Sequence, residues 1–352
     1  IPCRQSLAAG QLPHTCGVEH YGQDLPPFSM TFARRFSQYA YRTACVGKLH
    51  HVGPDQMQGW SERVVGDTIV APHYVAGRNK EAFAALPPKE DGTGKWSDAK
   101  ECFRSGFLPE RGEQLRTAGA LDWITRAFAD PVYDRAAPDH PTLLKVSYSR
   151  PHYPYFTTRE KFEYYLNRVE PFLGEEVFDH PFLSKRRVRP GEDVSEREIR
   201  RATAAYYGMI EEIDEDYGSI LDRLRHLGQN PDDWIIVYCS DHGEMLGQHG
   251  IWEKQKFFEA SARVPLIVRW PRRFRPRVVD ENVNLCDLFA TLCELAGIPL
   301  PAPEDTVNGA GLDSRSRAAW PSMGEGGVLT AALRRCIFGS HFRQEVANTA
   351  RL

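Results

Sequence analysis

The sequence has no long hydrophobic run, no excess of charge of one sign and no paired cysteines. No apolar run approaches the ~20 residues that span a bilayer, so the sequence predicts a soluble chain without a membrane span. With 47 acidic against 44 basic residues and a net charge of −3, no overall field attracts nucleic acid or an anionic membrane. The eight cysteines are scattered singly, which argues against a disulfide scaffold and a zinc knuckle.

What is present is the composition of a folded enzyme. Of the 352 residues, 41% are hydrophobic and 26% are charged, which is close to the globular average. This length permits one large α/β domain or two average ones. The chain opens without a methionine, so any signal peptide would lie upstream of Ile1. The sequence therefore indicates little about the compartment or the oligomeric state. Of the possible compartments, the cytoplasm is favoured over the periplasm.

Buried strands are the first pattern in the chain. Short apolar runs, each followed by a polar loop, lie at 143–148, 234–239 and 264–270. Helix patterns accompany these runs. Ser195 and Glu198 form a capping box, apolar residues then recur at helical spacing to position 224, and Gly228 ends the helix.

A second helix is predicted over about 284–296, stopped by Gly297, and residues 80–119 are interpreted as a long surface excursion. Alternating strands and helices predict a layered α/β domain that binds its ligands at the carboxyl ends of the strands.

The strongest local motif is SDHGE at 240–244, directly after a predicted strand. Asp241 and His242 can both reach one divalent cation, as an oxygen and a nitrogen ligand. The alternative is an Asp turn followed by an ordinary loop histidine. Lys254, twelve to thirteen residues further on, would fold back to pair with an anionic group beside the cation, although alone it would be a surface lysine.

Two further motifs carry histidines. Lys48 and His50 lie two residues apart, so they would project to the same side if the segment is extended, which suits anion binding and proton transfer. A basic hairpin tip is the alternative. His152 stands between Pro151 and Pro154, which brace the backbone around a possible general acid, or simply form a rigid loop.

Taken together and in this order, these segments resemble the type I sulfatases of the alkaline phosphatase superfamily, from residue 1 to about 313. The resemblance implies a three-layer α/β/α fold with a central mixed, largely parallel sheet, lacking its N-terminal strand and its native C-terminal subdomain. Residues 1–313 would be the catalytic domain. Residues 314–352 give no clear order of strands or helices and are interpreted as a non-native or incomplete tail.

The family's nucleophile motif is Cys or Ser, any residue, Pro, any residue and Arg, and the chain matches it from the second position onward through Pro2 and Arg4. The nucleophile would therefore precede Ile1. Cys3 is not its substitute, because Gln5 and Leu7 would then stand where the motif has Pro and Arg. In the family this residue becomes formylglycine, which implies a formylglycine-generating enzyme as a partner.

The resemblance also implies roles for the site residues. Asp241 and His242 would complete a metal site, usually for Ca²⁺ with Mg²⁺ or Mn²⁺ as alternatives. Arg4 and Lys48 would hold the aldehyde-derived oxygen, and His50 would take its proton to expel sulfate. Lys48, His152 and Lys254 would bind the sulfate group, and the last two would assist the leaving alcohol.

The substrate class is a sulfate ester of a small molecule or a carbohydrate. The segments at 47–56 and 252–259 look like choline-sulfatase segments, whereas the loop at 151–155 is closer to other bacterial sulfatases. His242 stands where many members have Asn, and His occurs there in relatives that hydrolyse phosphonate monoesters. The alternatives are therefore a phosphonate monoester or phosphodiester hydrolase of the same fold, or a non-catalytic sulfate-binding pseudoenzyme.

Overall fold

The computed structural model describes residues 1–20, 22–66, 75–76, 99–129, 141–173, 187–254, 257–318 and 335–340. The described helices, in chain order, are α1 (Pro2–Ala9), α2 (Pro13–Cys16), α3 (Phe32–Gln38), α4 (Ala99–Phe103), α5 (Gln114–Phe128), α6 (Arg159–Leu166), α7 (Glu196–His226), α8 (Glu259–Ala262) and α9 (Asp287–Leu295). The described strands are β1 (Gln23–Asp24), β2 (Arg42–Gly47), β3 (Glu62–Val64), β4 (Val75–Ala76), β5 (Ser105–Leu108), β6 (Thr142–Ser147), β7 (Tyr155–Thr158), β8 (Ile235–Cys239), β9 (Leu266–Arg269) and β10 (Arg335–Ser340). Within these ranges no helix is long and apolar enough to cross a membrane.

A central sheet of six strands has the order β3-β2-β6-β10-β8-β9. Every neighbouring pair is parallel except β8 with β9, which is antiparallel. The predicted mixed, largely parallel sheet is therefore confirmed. Its strands β6, β8 and β9 coincide closely with the three apolar runs of the sequence.

Helices cover both faces of this sheet. Successive strand residues point to opposite sides, so each buried strand presents apolar side chains to both layers of helices. Leu143 and Ile235 pack with α3 and α9 in one buried cluster. Leu144 and Val146 pack with α5 and α7 in another. These clusters give the predicted three-layer arrangement.

The long helix α7 forms as its sequence predicts. The Ser195 hydroxyl accepts a hydrogen bond from the backbone nitrogen of Glu198, whose carboxylate accepts one from the Ser195 backbone nitrogen, so the capping box is present. Gly228, with φ +73°, follows the helix end. The buried face of α7 packs on the sheet and on the smaller parallel pair formed by β5 and β7.

The carboxyl ends of the central strands lie level with one another. Gly47 is paired with Ser147, and Ser340 is paired with both Ser147 and Cys239. Gly47 has φ +91°, and a Cβ atom there would lie 2.1 Å from the Ser147 carbonyl oxygen, so the close approach of the two strand ends requires glycine. The loops that follow β2, β6 and β8 consequently leave the sheet side by side.

One interpretation of the sequence is corrected here. The surface excursion was placed at 80–119, but α4, β5 and the start of α5 lie within residues 99–119, and residues 80–98 are outside the described part. Buried side chains of α5, such as Trp123 and Ile124, pack on the sheet. This helix begins within the Gly-, Lys- and Glu-rich stretch whose composition led to the interpretation as a surface excursion.

The chain also has described contacts beyond residue 313, where the predicted domain boundary stays a prediction. Arg317 forms an ion pair with Asp287 at 3.0 Å, and Ala318 is buried, so the chain stays packed on the domain beyond that point. Further on, β10 pairs in parallel with both β6 and β8. The facing edges of β6 and β8 need partners for their backbone groups, and β10, which lies between the two strands, supplies them. The interpretation of residues 314–352 as a non-native or incomplete tail stays a prediction.

Candidate active site

Arg4 joins the segments that meet at the carboxyl end of the sheet. It lies in α1 and is 5% exposed. Its Nε donates to Asp241 Oδ2 at 2.5 Å, and its Nη1 donates to the Lys48 carbonyl oxygen at 2.8 Å and to Ser147 Oγ at 3.0 Å. One guanidinium therefore connects α1 to the ends of β2, β6 and β8.

Cys3, the neighbour of Arg4, does not take the place of a nucleophile. Burial raises the pKa of its thiol to about 12, so it stays protonated at neutral pH. This property agrees with the motif analysis, which excluded Cys3.

The segment after β2 carries Lys48 and His50 but is not extended. The strand ends at Gly47, and His50 has φ +63°, so the alternation of an extended chain does not apply. Burial, with the positive charges of the N-terminal ammonium, Lys48 and Arg4, lowers the pKa of His50 to about 2. The imidazole is neutral at neutral pH, which is the state that a proton acceptor needs.

A buried polar network holds this segment in place. Asp24 is fully buried, and its Oδ2 accepts hydrogen bonds from the backbone nitrogens of Val52 at 2.7 Å and Gly53 at 2.8 Å. Gln5 Nε2 donates to the His50 carbonyl oxygen at 3.3 Å and contacts His51 Nδ1 at 2.9 Å. Sequence reasoning missed this network, because no local motif links Asp24 to partners 28 and 29 residues away.

His152 and Lys254 form a hydrogen-bonded pair. Lys254 Nζ lies 2.7 Å from His152 Nε2, and His152 Nδ1 lies 2.8 Å from the Tyr153 carbonyl oxygen. A neutral imidazole protonated on Nδ1 satisfies both contacts, because its Nε2 then accepts from the ammonium. Burial and the charges of Lys254 and Lys48 lower the pKa of His152 to about 3. Lys254 thus folds back from its own loop, as predicted.

The loop that carries His152 is anchored by two buried glutamates. Glu212 of α7 accepts from Arg150 Nη1 at 2.6 Å and from the hydroxyl of Thr157 at 2.8 Å. Glu113 accepts from the backbone nitrogens of Ser149 and Arg150 at 3.2 and 3.1 Å. Neither glutamate was singled out from the sequence, because their partners lie 36 to 62 residues away.

Asp241 and His242 follow β8 and present ligand atoms to each other. His242 Nδ1 lies 2.8 Å from the Gly243 carbonyl oxygen, which leaves Nε2 with its lone pair, and this atom lies 3.8 Å from Asp241 Oδ1. Burial is the main cause that lowers the pKa of His242, and a neutral imidazole is the form that binds a metal. A carboxylate oxygen and an imidazole nitrogen at this separation fit two ligands of one cation.

Two ligands make only part of a metal site. Within the described ranges, no group of three or more His, Cys, Asp or Glu side chains is arranged to hold a metal ion. Glu244, although it belongs to the same motif, is not a third ligand. It is buried and accepts hydrogen bonds from the backbone nitrogens of Leu246 and Glu253, so it shapes its own loop.

The predicted site residues meet in one region. The positive charge of Lys48 contributes to the lowered pKa of His50, His152 and His242. The rings of His152 and His242 have centroids 6.3 Å apart. Arg4 adds a guanidinium on the side of Asp241. The fold and this region define an α/β protein with a group of cationic side chains and imidazoles at the carboxyl edge of its sheet.

Comparison of the sequence with known families agrees with this description. Residues 1–298 match the family model described as Sulfatase, and the chain belongs to the sulfatase family. It is 30% identical to a choline-sulfatase of Rhizobium meliloti over 318 residues, which cover 88% of this chain and 61% of that protein. It is 28% identical to an arylsulfatase of Clostridium perfringens over 337 residues, which cover 89% of this chain and 67% of that protein. The chain thus spans about two thirds of the length of these relatives.

Solved structures show the same fold. The phosphonate monoester hydrolase of Silicibacter pomeroyi superimposes with a TM-score of 0.64 at 20% identity, covering 91% of this chain and 66% of that one. The corresponding enzyme of Agrobacterium radiobacter gives a TM-score of 0.60 at 21% identity, covering 90% of this chain and 68% of that one. The predicted three-layer α/β/α fold is therefore confirmed.

Proposed function

We propose that the protein hydrolyses a sulfate monoester to an alcohol and inorganic sulfate. The observation that carries the proposal is the meeting of Arg4, Lys48 and the His152–Lys254 pair with the Asp241–His242 pair at one edge of the sheet. The cationic groups of Arg4, Lys48 and Lys254 come from three segments, and they repel one another unless an anion occupies the space between them. A sulfate group presents anionic oxygens to such a set of donors.

Each side chain has a proposed task that its surroundings support. Arg4 and Lys48 hold the attacking oxygen, which a formylglycine at the position before Ile1, made by a formylglycine-generating enzyme, would supply. His50 is neutral and takes a proton from that oxygen when sulfate is expelled. Lys48, His152 and Lys254 bind the sulfate oxygens.

The leaving alcohol needs a proton, and the His152–Lys254 pair holds one at a defined place. The ammonium points at His152 Nε2, so a proton lies between the two nitrogens. Transfer of this proton to the departing oxygen lowers the cost of breaking the bond between sulfur and that oxygen. We therefore assign leaving-group assistance to the pair.

The proposal includes one divalent cation held by Asp241 and His242 together with ligands outside the described residues. Ca²⁺ is the expected ion, with Mg²⁺ or Mn²⁺ as alternatives. The Asp241 oxygen is suited to a hard cation, and His242 is accessible to it through Nε2. When bound, the cation would supply charge stabilisation at the reacting anion.

The proposed substrates are sulfate esters of small molecules or carbohydrates. The relatives at 30% and 28% identity are named for choline sulfate and aryl sulfates, which are both small-molecule esters. Residues 1–313 are the proposed catalytic region. The measured release of inorganic sulfate from choline sulfate, 4-nitrophenyl sulfate and sulfated sugars by the full-length protein tests the activity itself.

Asp241→Ala is the variant that tests the site. Loss of a metal ligand that also anchors Arg4 should lower kcat/KM by about 100-fold or more, since charge stabilisation by the ion is worth several kcal/mol. Asp232→Ala is the matched control, because Asp232 precedes the other end of β8 and forms an exposed pair with Arg269. It should stay within about twofold of the unmodified protein.

Three outcomes would contradict the proposal. Equal activities of the Asp241→Ala and unmodified proteins would remove the site from the reaction. No sulfate release from any ester would overturn the activity. Tight binding of sulfate without turnover would favour a non-catalytic sulfate-binding protein.

His242 favours a second candidate, the hydrolysis of a phosphonate monoester or a phosphodiester. It places an imidazole beside Asp241, whereas many sulfatases have Asn at this position. Sulfate and phosphonate esters are both tetrahedral anions, and they present similar charge to one cationic site.

A further inference from the structure

Tyr153 contacts both members of the His152–Lys254 pair. Its phenol oxygen accepts a hydrogen bond from Lys254 Nζ at 3.3 Å, and that nitrogen lies 4.4 Å from the centroid of the tyrosine ring. The ring packs against the His152 imidazole, with centroids 4.1 Å apart and planes inclined by 41°. The Tyr153 carbonyl oxygen is the contact of His152 Nδ1.

These contacts fix the direction of the ammonium. Lys254 has three N–H donors, and His152 Nε2 and the Tyr153 phenol oxygen engage two of them. The negative face of the ring attracts the ammonium, which matters beside Lys48, because two like charges would otherwise drive the flexible lysine side chain away.

The same residue also fixes the imidazole. The Tyr153 ring limits rotation of His152 from one side, and the Tyr153 carbonyl oxygen selects the Nδ1-protonated form that leaves Nε2 as the acceptor. Tyr153 is half-buried, so it is part of the wall between the packed loop and the open side of the site.

We propose that Tyr153 is a positioning residue for the departure of the alcohol, an inference that rests on the proposed sulfate-ester hydrolysis. In that step sulfur gains its new oxygen while its bond to the alcohol oxygen breaks. The electron pair stays on the alcohol oxygen, which takes a proton from the His152–Lys254 pair. Tyr153 forms no bond and gives up no proton; it keeps the pair aimed at the departing oxygen.

This role predicts a dependence on the leaving group. 4-Nitrophenyl sulfate releases a weakly basic phenolate that needs little help from an acid, whereas phenyl sulfate releases a more basic one that needs more. Loss of Tyr153 should therefore slow the hydrolysis of phenyl sulfate more than the hydrolysis of 4-nitrophenyl sulfate. A purely structural role would slow both esters by the same factor.

The experiment measures kcat and KM of the full-length enzyme for both esters. In Tyr153→Leu, kcat should fall about 100-fold on phenyl sulfate and about tenfold on 4-nitrophenyl sulfate, with KM changed less than about threefold. Tyr153→Phe keeps the ring and loses the phenol acceptor. Its kcat should also fall more on phenyl sulfate than on 4-nitrophenyl sulfate, but by smaller factors than in Tyr153→Leu. It also serves if Tyr153→Leu fails to fold.

Tyr164→Leu is the matched control. Tyr164 is 51% exposed on α6, and the Arg168 guanidinium lies 4.0 Å from its ring centroid, so the variant removes a tyrosine–cation contact outside the site. Both esters should keep their unmodified rates. An equal loss on both esters in the Tyr153 variants, or a loss confined to KM, would overturn the inference alone. An unmodified enzyme that cleaves neither ester would overturn the proposed function and this inference with it.

Discussion

At the scale of single residues, the site depends on imidazoles that are kept neutral. His50 and His152 lie among cations, and burial together with those charges lowers the pKa of His50 to about 2 and that of His152 to about 3. A neutral His50 accepts a proton, and a neutral His152 accepts the Lys254 hydrogen bond. Protonation of either ring would add positive charge where several cations already meet.

The same neutrality predicts how stability changes with pH. Both folded-state pKa values lie below the ordinary histidine pKa of about 6.5, so the unfolded chain binds protons first as pH falls. The contribution of the two histidines to the free energy of unfolding is therefore fully present above pH 6.5. This contribution declines from there towards pH 3, by about 1.4 kcal/mol per pH unit for each histidine. Urea unfolding of the protein at a series of pH values measures this decline.

His50→Asn isolates one contribution to that decline. Asparagine does not titrate, so the variant should lose stability less steeply with acid than the unmodified protein. His226→Asn is the matched control, because His226 is exposed at the end of α7, and it should leave the slope unchanged. Identical slopes in the His50→Asn and unmodified proteins would show that His50 is protonated alike in the folded and unfolded chains.

At the scale of elements, α7 supports the site from a distance. Its buried face packs on the sheet, and Glu212 in its middle accepts from Arg150 and Thr157, which flank the loop of His152. Because α7 is packed on the sheet, the hydrogen bonds of Glu212 hold that loop in a fixed position. Its N-terminus is fixed by the reciprocal hydrogen bonds of Ser195 and Glu198.

Removal of this cap should destabilise the protein measurably. Ser195→Ala leaves the Glu198 backbone nitrogen without its side-chain acceptor, so the free energy of unfolding should fall by about 1 kcal/mol. Ser219→Ala is the matched control in the same helix, because the Ser219 hydroxyl is exposed and bonds the Glu215 carbonyl oxygen. That change should be neutral or slightly stabilising. A Ser195→Ala protein as stable as the Ser219→Ala protein would argue against the cap.

The same scale shows what could be predicted from the sequence. α7 was predicted with its cap and its buried face because its signals are local, and β6, β8 and β9 were predicted from short apolar runs. α5 was missed because it begins within a Gly-, Lys- and Glu-rich stretch, whose composition hides the apolar side of Ala120, Trp123 and Ile124 that follows. β10 was missed because its place depends on pairing with β6 and β8, which are far from it in sequence.

At the scale of the whole molecule, topology rather than sequence proximity builds the site. The parallel order of β2, β6 and β8 brings their carboxyl ends to one edge, and the motifs that follow them meet there. The motif residues were predictable because each follows a strand or stands in a recognisable segment. Asp24, Gln5, Glu113 and Glu212 were not, because buried hydrogen bonds to distant backbone leave no local pattern.

The choice of anion is the central claim for the molecule as a whole. A cationic site with a metal accepts sulfate and phosphonate esters, and the proposal is that sulfate monoesters are the substrates. The most direct test compares kcat/KM of the full-length protein for 4-nitrophenyl sulfate and for 4-nitrophenyl phenylphosphonate under the same conditions. The account predicts a higher kcat/KM for the sulfate, and a higher kcat/KM for the phosphonate would contradict it.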